Sequence, residues 1–94
     1  MKRMHNPAHP GEILKEFLPE TMTIEQVANR LKVSRVQLSR VLNGRSAISA
    51  DMAIRIAMLT KTTPESWLSG QVNWDLWQAS QKPIPAIAPL KKAA

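Results

Sequence analysis

An all-α domain of five helices is predicted by three observations. Helix start and stop marks recur along the chain, and apolar residues between them repeat at helical spacing. Strand signals are weak, with no Tyr and a single Phe in 94 residues. Hydrophobic residues make up 44%, enough for one packed core, so the fold has to be a single small domain. Cys is absent, which excludes a disulfide scaffold, a thiolate metal site and a cysteine nucleophile. No apolar run approaches the roughly 18 residues of a membrane span. The basic start Met1-Lys2-Arg3 has no apolar stretch behind it, as a secretory signal would. The expectation is a soluble, cytoplasmic protein.

The first helix opens at Pro10, with Glu12 at the positive end of its dipole and Ile13, Leu14, Phe17 and Leu18 as its apolar stripe; Pro19 stops it. Thr23 is the next N-cap, with Gln26 completing a capping box and Met22 stapling onto Val27. The helix that follows, 24–31, turns Ile24, Val27, Ala28 and Leu31 inward. Only Lys32-Val33 precedes the next cap, Ser34, with Gln37 as a second box and Val33 stapling Leu38. Helix 35–43 buries Leu38, Val41 and Leu42 and ends at Gly44, a left-handed stop. Ser49 caps a fourth helix, 50–59, which stores Met52, Ile56 and Leu59 and is stapled by Ile48 and Ala53. Thr63-Pro64-Glu65 opens a fifth helix that runs to about Ser80, despite Gly70 inside it. Pro83, Pro85 and Pro89 then forbid regular structure. Residues 1–81 are read as the domain and 82–94 as a Pro-rich, disordered tail.

Charge singles out one segment. Of the net +6, residues 23–48 carry +4: Arg30, Lys32, Arg35, Arg40 and Arg45 stand against Glu25 alone. That concentration suits a polyanion. The same segment holds two short capped helices joined by a turn too tight for a parallel pairing, the arithmetic of a DNA-binding helix-turn-helix over 24–43. With Leu38, Val41 and Leu42 inward, the second helix presents Arg35, Val36, Gln37, Ser39 and Arg40. Such a helix enters the major groove by its N-terminal part. Arg35 or Arg40 suits guanine O6 and N7, Gln37 suits adenine N6 and N7, and Val36 suits a thymine methyl. Ser34, Asn43 and Arg45 are placed for phosphates, aided by the helix N-terminus, and Ser39 is placed for a phosphate or a base edge.

The runs Pro10-Gly11-Glu12-Ile13-Leu14, Val27-Ala28, Val33-Ser34-Arg35, Leu38-Ser39, Leu42-Asn43-Gly44-Arg45 and Trp67-Leu68 together resemble the HigA/VapI-type antitoxins. These belong to the repressor-like helix-turn-helix family that includes phage repressors. The resemblance spans residues 9–79. It implies a five-helix repressor-like domain that dimerises, binds a double-stranded operator in its own promoter, and neutralises a small ribonuclease toxin encoded beside it; association with the nucleoid follows. The alternative is a stand-alone regulator with no toxin partner. One departure stands out: Lys32 occupies the turn position usually held by Gly, at a cost on the order of 1 kcal/mol if its φ is positive, and it is placed to touch a phosphate.

All three Trp lie in the last helix. At about 100° per residue, Trp67, Trp74 and Trp77 share one arc, and Leu68, Val72, Leu76 and Ala79 another. A second apolar stripe on a terminal helix has nowhere to go in so small a monomer. Self-association through Trp67, Leu68, Val72, Trp74, Leu76 or Trp77 is therefore expected, with the arc left open.

Enzyme chemistry finds no foothold. His5 and His9 have a helical ligand spacing, but Pro7 and Pro10 break the helix and no third ligand converges, so a surface and capping role is expected and no metal. Gly11, Gly44 and Gly70 are too scattered for a phosphate loop. No two carboxylates are paired by spacing, and the serines sit at caps without a base. No cofactor and no small-molecule substrate are expected. A single-stranded RNA binder wants exposed aromatics within its basic face, and residues 23–48 contain none.

Overall fold

A computed structural model describes residues 6–91. Among them are five helices and no strand: α1 (Pro10–Phe17), α2 (Ile24–Leu31), α3 (Arg35–Leu42), α4 (Ala50–Thr60) and α5 (Pro64–Ser80). His5, Lys92 and the outermost ends of both predicted regions lie outside the described residues.

Four of the five helices start where a Ser or Thr hydroxyl accepts one of the free N–H groups. Thr23 Oγ1 accepts from Gln26 N (3.1 Å) while Thr23 N donates to Gln26 Oε1 (2.9 Å), the full capping box. Ser34 accepts from Gln37 N (3.0 Å), but the return bond from Gln37 does not form, so the second box is half a box. Ser49 and Thr63 cap α4 and α5 by the same Oγ-to-N3 geometry. At α1 the cap is His9, whose Nδ1 accepts from Gly11 N at 2.9 Å.

The core gathers one face from every helix: Leu14; Val27, Ala28 and Leu31; Leu38, Val41 and Leu42; Met52, Ala53, Ile56 and Ala57; Trp67; with Ile48 from the α3–α4 loop. Two of the predicted stripes are narrower than expected. Of the predicted α1 stripe only Leu14 is fully buried; Ile13 and Phe17 are exposed and Leu18 is half-buried. On α2 Ile24 is exposed rather than inward. Gly11 marks the closest approach in the fold. A β-carbon there would stand 1.9 Å from the Val41 carbonyl oxygen, so α1 crosses α3 at backbone contact and accepts no side chain at this point.

Candidate nucleic-acid interface

Backbone bonds close the C-terminal end of each helix of the α2–α3 pair. Val33 N donates to Ala28 O (3.1 Å) and Lys32 N to Asn29 O (3.2 Å), the paired bonds of a Schellman stop. The left-handed residue in it is Lys32, at φ 62°, as the departure from Gly in the sequence anticipates. The α3 end repeats the pattern with Gly44 at φ 71°: Arg45 N donates to Arg40 O (2.8 Å) and Gly44 N to Val41 O (3.1 Å).

Arg55 on α4 braces the turn from behind. Its Nη1 donates to Leu31 O (2.9 Å) and to Lys32 O (3.0 Å), and its Nε is held by Asp51 one turn earlier. A guanidinium at the C-terminus of α2 meets carbonyls that have no partner within the helix and opposes the negative end of its dipole. Sequence reasoning missed this residue. Its i, i+4 spacing from Asp51 is a readable signal for the ion pair, but its reach to residues 23 and 24 positions away is visible only in the fold.

With Leu38, Val41 and Leu42 inward, α3 has Val36, Ser39, Arg40 and Asn43 on its outermost arc, flanked by Arg35 and Gln37. Arg35, Gln37, Arg40, Asn43 and Arg45 are exposed, Val36 is 58% exposed, and Ser39 is half-buried. Asn43 Nδ2 donates to Ser39 Oγ (3.4 Å), so these two act as a pair. Ser34 spends an acceptor lone pair on its cap and keeps its hydroxyl proton to donate. Lys32 lies beside that helix start with its ammonium in solvent. The nine residues singled out from the sequence thus lie along one short helix and its two turns. No acidic residue stands in the first turn of α3, whose free N–H groups add positive potential to that of Arg35.

The α5 face divides differently from the two predicted arcs. Trp67 belongs to the core of its own chain: it is 4% exposed, its Nε1 donates to Thr62 Oγ1 (2.6 Å), and Phe17 packs edge-on at 5.7 Å. Its inclusion among residues for self-association is corrected on that ground. Trp74 and Trp77 are half-buried, Trp74 lying edge-on to His9 at 5.3 Å and Trp77 tilted against Trp74 at 5.8 Å. Leu68 packs against the core from its rim. Val72 and Leu76 are more than half exposed, at 53% and 54%, so the open arc is 68–72–76. Gln71, absent from the sequence expectations, is buried and accepts from Ile48 N (2.8 Å) while donating to Asp75 (3.0 Å), which ties the α3–α4 loop to α5.

His9 is a cap, as expected, but a buried one rather than a surface one. Burial holds its pKa below the ordinary 6.5, and the carboxylates of Glu12 and Asp75 oppose the shift. No group of three or more His, Cys, Asp or Glu side chains converges among the described residues, and none of their helices is long and apolar enough to cross a membrane.

The helix-turn-helix family matches residues 14–68, more than half of the chain. The chain belongs to the helix-turn-helix family. It is similar to virulence-associated protein A′ of Dichelobacter nodosus, 39% identical over 83 residues that cover 86% of this chain and 72% of that one. Among solved structures it resembles the Pseudomonas aeruginosa antitoxin HigA with the higBA promoter, with a TM-score of 0.75 and 38% identity over 80% of this chain and 84% of the other. It resembles the antitoxin GraA in complex with its operator at a TM-score of 0.77 and 33% identity, over 95% and 99% of the two chains.

Proposed function

We propose that this helix-turn-helix protein is a sequence-specific repressor that binds a double-stranded operator in its own promoter as a homodimer, and that it neutralises a co-encoded ribonuclease toxin. The observation that carries the DNA reading is the outer face of α3, which is basic, polar and fixed at both ends by Schellman turns. That face belongs to a fold whose similar structures include two antitoxins solved with promoter or operator DNA. Arg35, Gln37, Ser39 and Arg40 read base edges, with Val36 against a thymine methyl. Lys32, Ser34, Asn43 and Arg45 hold phosphates. No catalytic step, cofactor or small-molecule substrate enters this mechanism; repression is occupancy of the promoter.

Dimerisation runs through α5. Val72 is the midpoint of the helix, and Leu68 and Leu76 lie one turn to either side of it, so the stripe is self-complementary about a two-fold axis through Val72. Two recognition helices related by that axis then read two half-sites of a palindrome.

Fluorescence anisotropy with the chain's own upstream DNA and a scrambled duplex, over a range of salt, tests the reading. Tight binding to the first with a two-fold footprint is expected; equal, steeply salt-dependent binding to both sinks it. Arg35→Ala should weaken operator binding by roughly 1–3 kcal/mol and relax selectivity at one base pair. Copurification with the product of the adjacent gene tests the toxin partnership, and its absence with DNA binding intact leaves a stand-alone regulator.

A further inference from the structure

Residues 82–91 leave the end of α5 without regular structure, every one of them exposed. Three large aliphatic side chains stand fully wet in this arm: Ile84, Ile87 and Leu90, at 65%, 80% and 97%. Their spacing is three. Pro83, Pro85 and Pro89 favour the polyproline II conformation, which repeats every three residues and so aligns Ile84, Ile87 and Leu90 along one edge. An apolar edge on a proline-stiffened strand is a form that docks at little entropic cost, and aromatic-edged apolar grooves are what such strands fit.

A cleft with an aromatic edge lies on the described part of the body. Where α1 and α4 finish, Phe17, Leu18, Pro19, Met22 and Leu59 line a cleft of about 290 Å³, with Arg30 and Lys61 also in its wall and the half-exposed Phe17 ring at its edge. A chain's own arm starts at the opposite end of α5, about 25 Å away along a helix of 17 residues. A two-fold pair crossing at Val72 removes that separation. Ser80 and Pro64 are each eight residues from the crossing, so the end of one α5 comes level with the start of the other. Ten residues of polyproline II then reach roughly 31 Å, enough to lay the aliphatic edge along the second copy's cleft.

We propose that the arm 82–91 of one copy docks through Ile84, Ile87 and Leu90 into the cleft of the second copy between the ends of α1 and α4, clasping the dimer from both sides. The inference rests on the α5 dimer described above.

The absence of Cys makes the test clean. Full-length Ile87→Cys and full-length Met22→Cys, one of them tagged, are mixed, allowed to exchange subunits and treated with a short bismaleimide. A tagged–untagged crosslinked species is expected, and none when Gln37→Cys on the α3 face replaces Met22→Cys. Ile84→Ser/Ile87→Ser/Leu90→Ser should weaken the dimer at least tenfold by sedimentation with the helical spectrum unchanged. A wild-type dimer that yields no Ile87–Met22 crosslink overturns the arm alone. Crosslinking only within a chain carrying both substitutions assigns the arm to its own body and equally overturns it. A chain that sediments as a monomer overturns the α5 dimer, and the clasp with it.

Discussion

The α2–α3 pair is amphipathic and α5 is apolar around most of its circumference, and their outer faces differ accordingly. On α3 the exposed arc is basic and polar, Arg35, Gln37 and Arg40 with a single aliphatic, Val36. On α5 the exposed arc is aliphatic, Val72 and Leu76 rimmed by Ser69 and Asn73. One face loses little by staying in water until a polyanion arrives; the other gains only by being covered. The supports differ as well. The turn of α2–α3 rests on local backbone bonds plus a single long-range brace, Arg55. The seating of α5 rests on distant partners: Ile48 on Gln71, His9 on Trp74, Phe17 on Trp67. Under the proposed function, reading DNA and assembling the reader fall to separate parts of the fold.

The sharpest way to break that separation is Val72→Asp. A charge at the two-fold centre should leave the monomer folded, abolish the dimer in sedimentation and lower operator affinity by about two orders of magnitude, since the second half-site no longer binds as an intramolecular step. If affinity holds while the chain sediments as a monomer, DNA reading does not need α5. Arg55→Met strikes the other region. Losing two charge-assisted bonds to Leu31 O and Lys32 O should cost roughly 1.5–3 kcal/mol in denaturant unfolding. Operator affinity should fall while the dimer constant stays fixed.

Lys32→Gly sharpens the comparison with effects of opposite sign. Releasing the left-handed strain should raise stability by up to about 1 kcal/mol, while the slope of log affinity against log salt should shrink by about 2 for the dimer, as one phosphate contact goes from each half-site. An unchanged salt slope would place Lys32 off the DNA.

The smallest effect concerns His9, which joins the two regions at the start of α1. Its folded pKa lies below 6.5, so the unfolded chain takes up the proton first. The neutral ring's contribution is present above pH 6.5 and is lost as pH falls toward the folded value, because burial strips water from the charged ring; protonation also removes the Nδ1 acceptor from Gly11 N. The melting temperature of the wild type should drop on going from pH 7.5 to 5.5 by more than that of His9→Asn.

Much of the fold was legible because its signals are local. Thr23, Ser34, Ser49 and Thr63 mark helix starts by their own side-chain chemistry, and each caps in the structure. Gly44 and the anomalous Lys32 both occupy left-handed positions. Lys61, also left-handed at φ 58°, went unnoticed, since a Lys carries no conformational mark of its own. The α3 face was legible because three neighbouring apolar positions inward leave the rest outward.

Local sequence sets where helices begin and end, which side of α3 faces out, and that the chain's positive charge gathers there. Periodicity, capping and charge are properties of neighbouring residues, and nothing distant can undo them cheaply. The tertiary structure alone decided which of two apolar arcs on α5 is spent. It buried Trp67 and Gln71 and left Val72 and Leu76 open. It also brought Arg55 to a turn 23 residues earlier in the chain. A helix carrying apolar side chains on most of its circumference has no preferred side until α1 and α4 arrive to cover one, and a carbonyl left free at a helix end is met by whichever guanidinium the packing brings within reach.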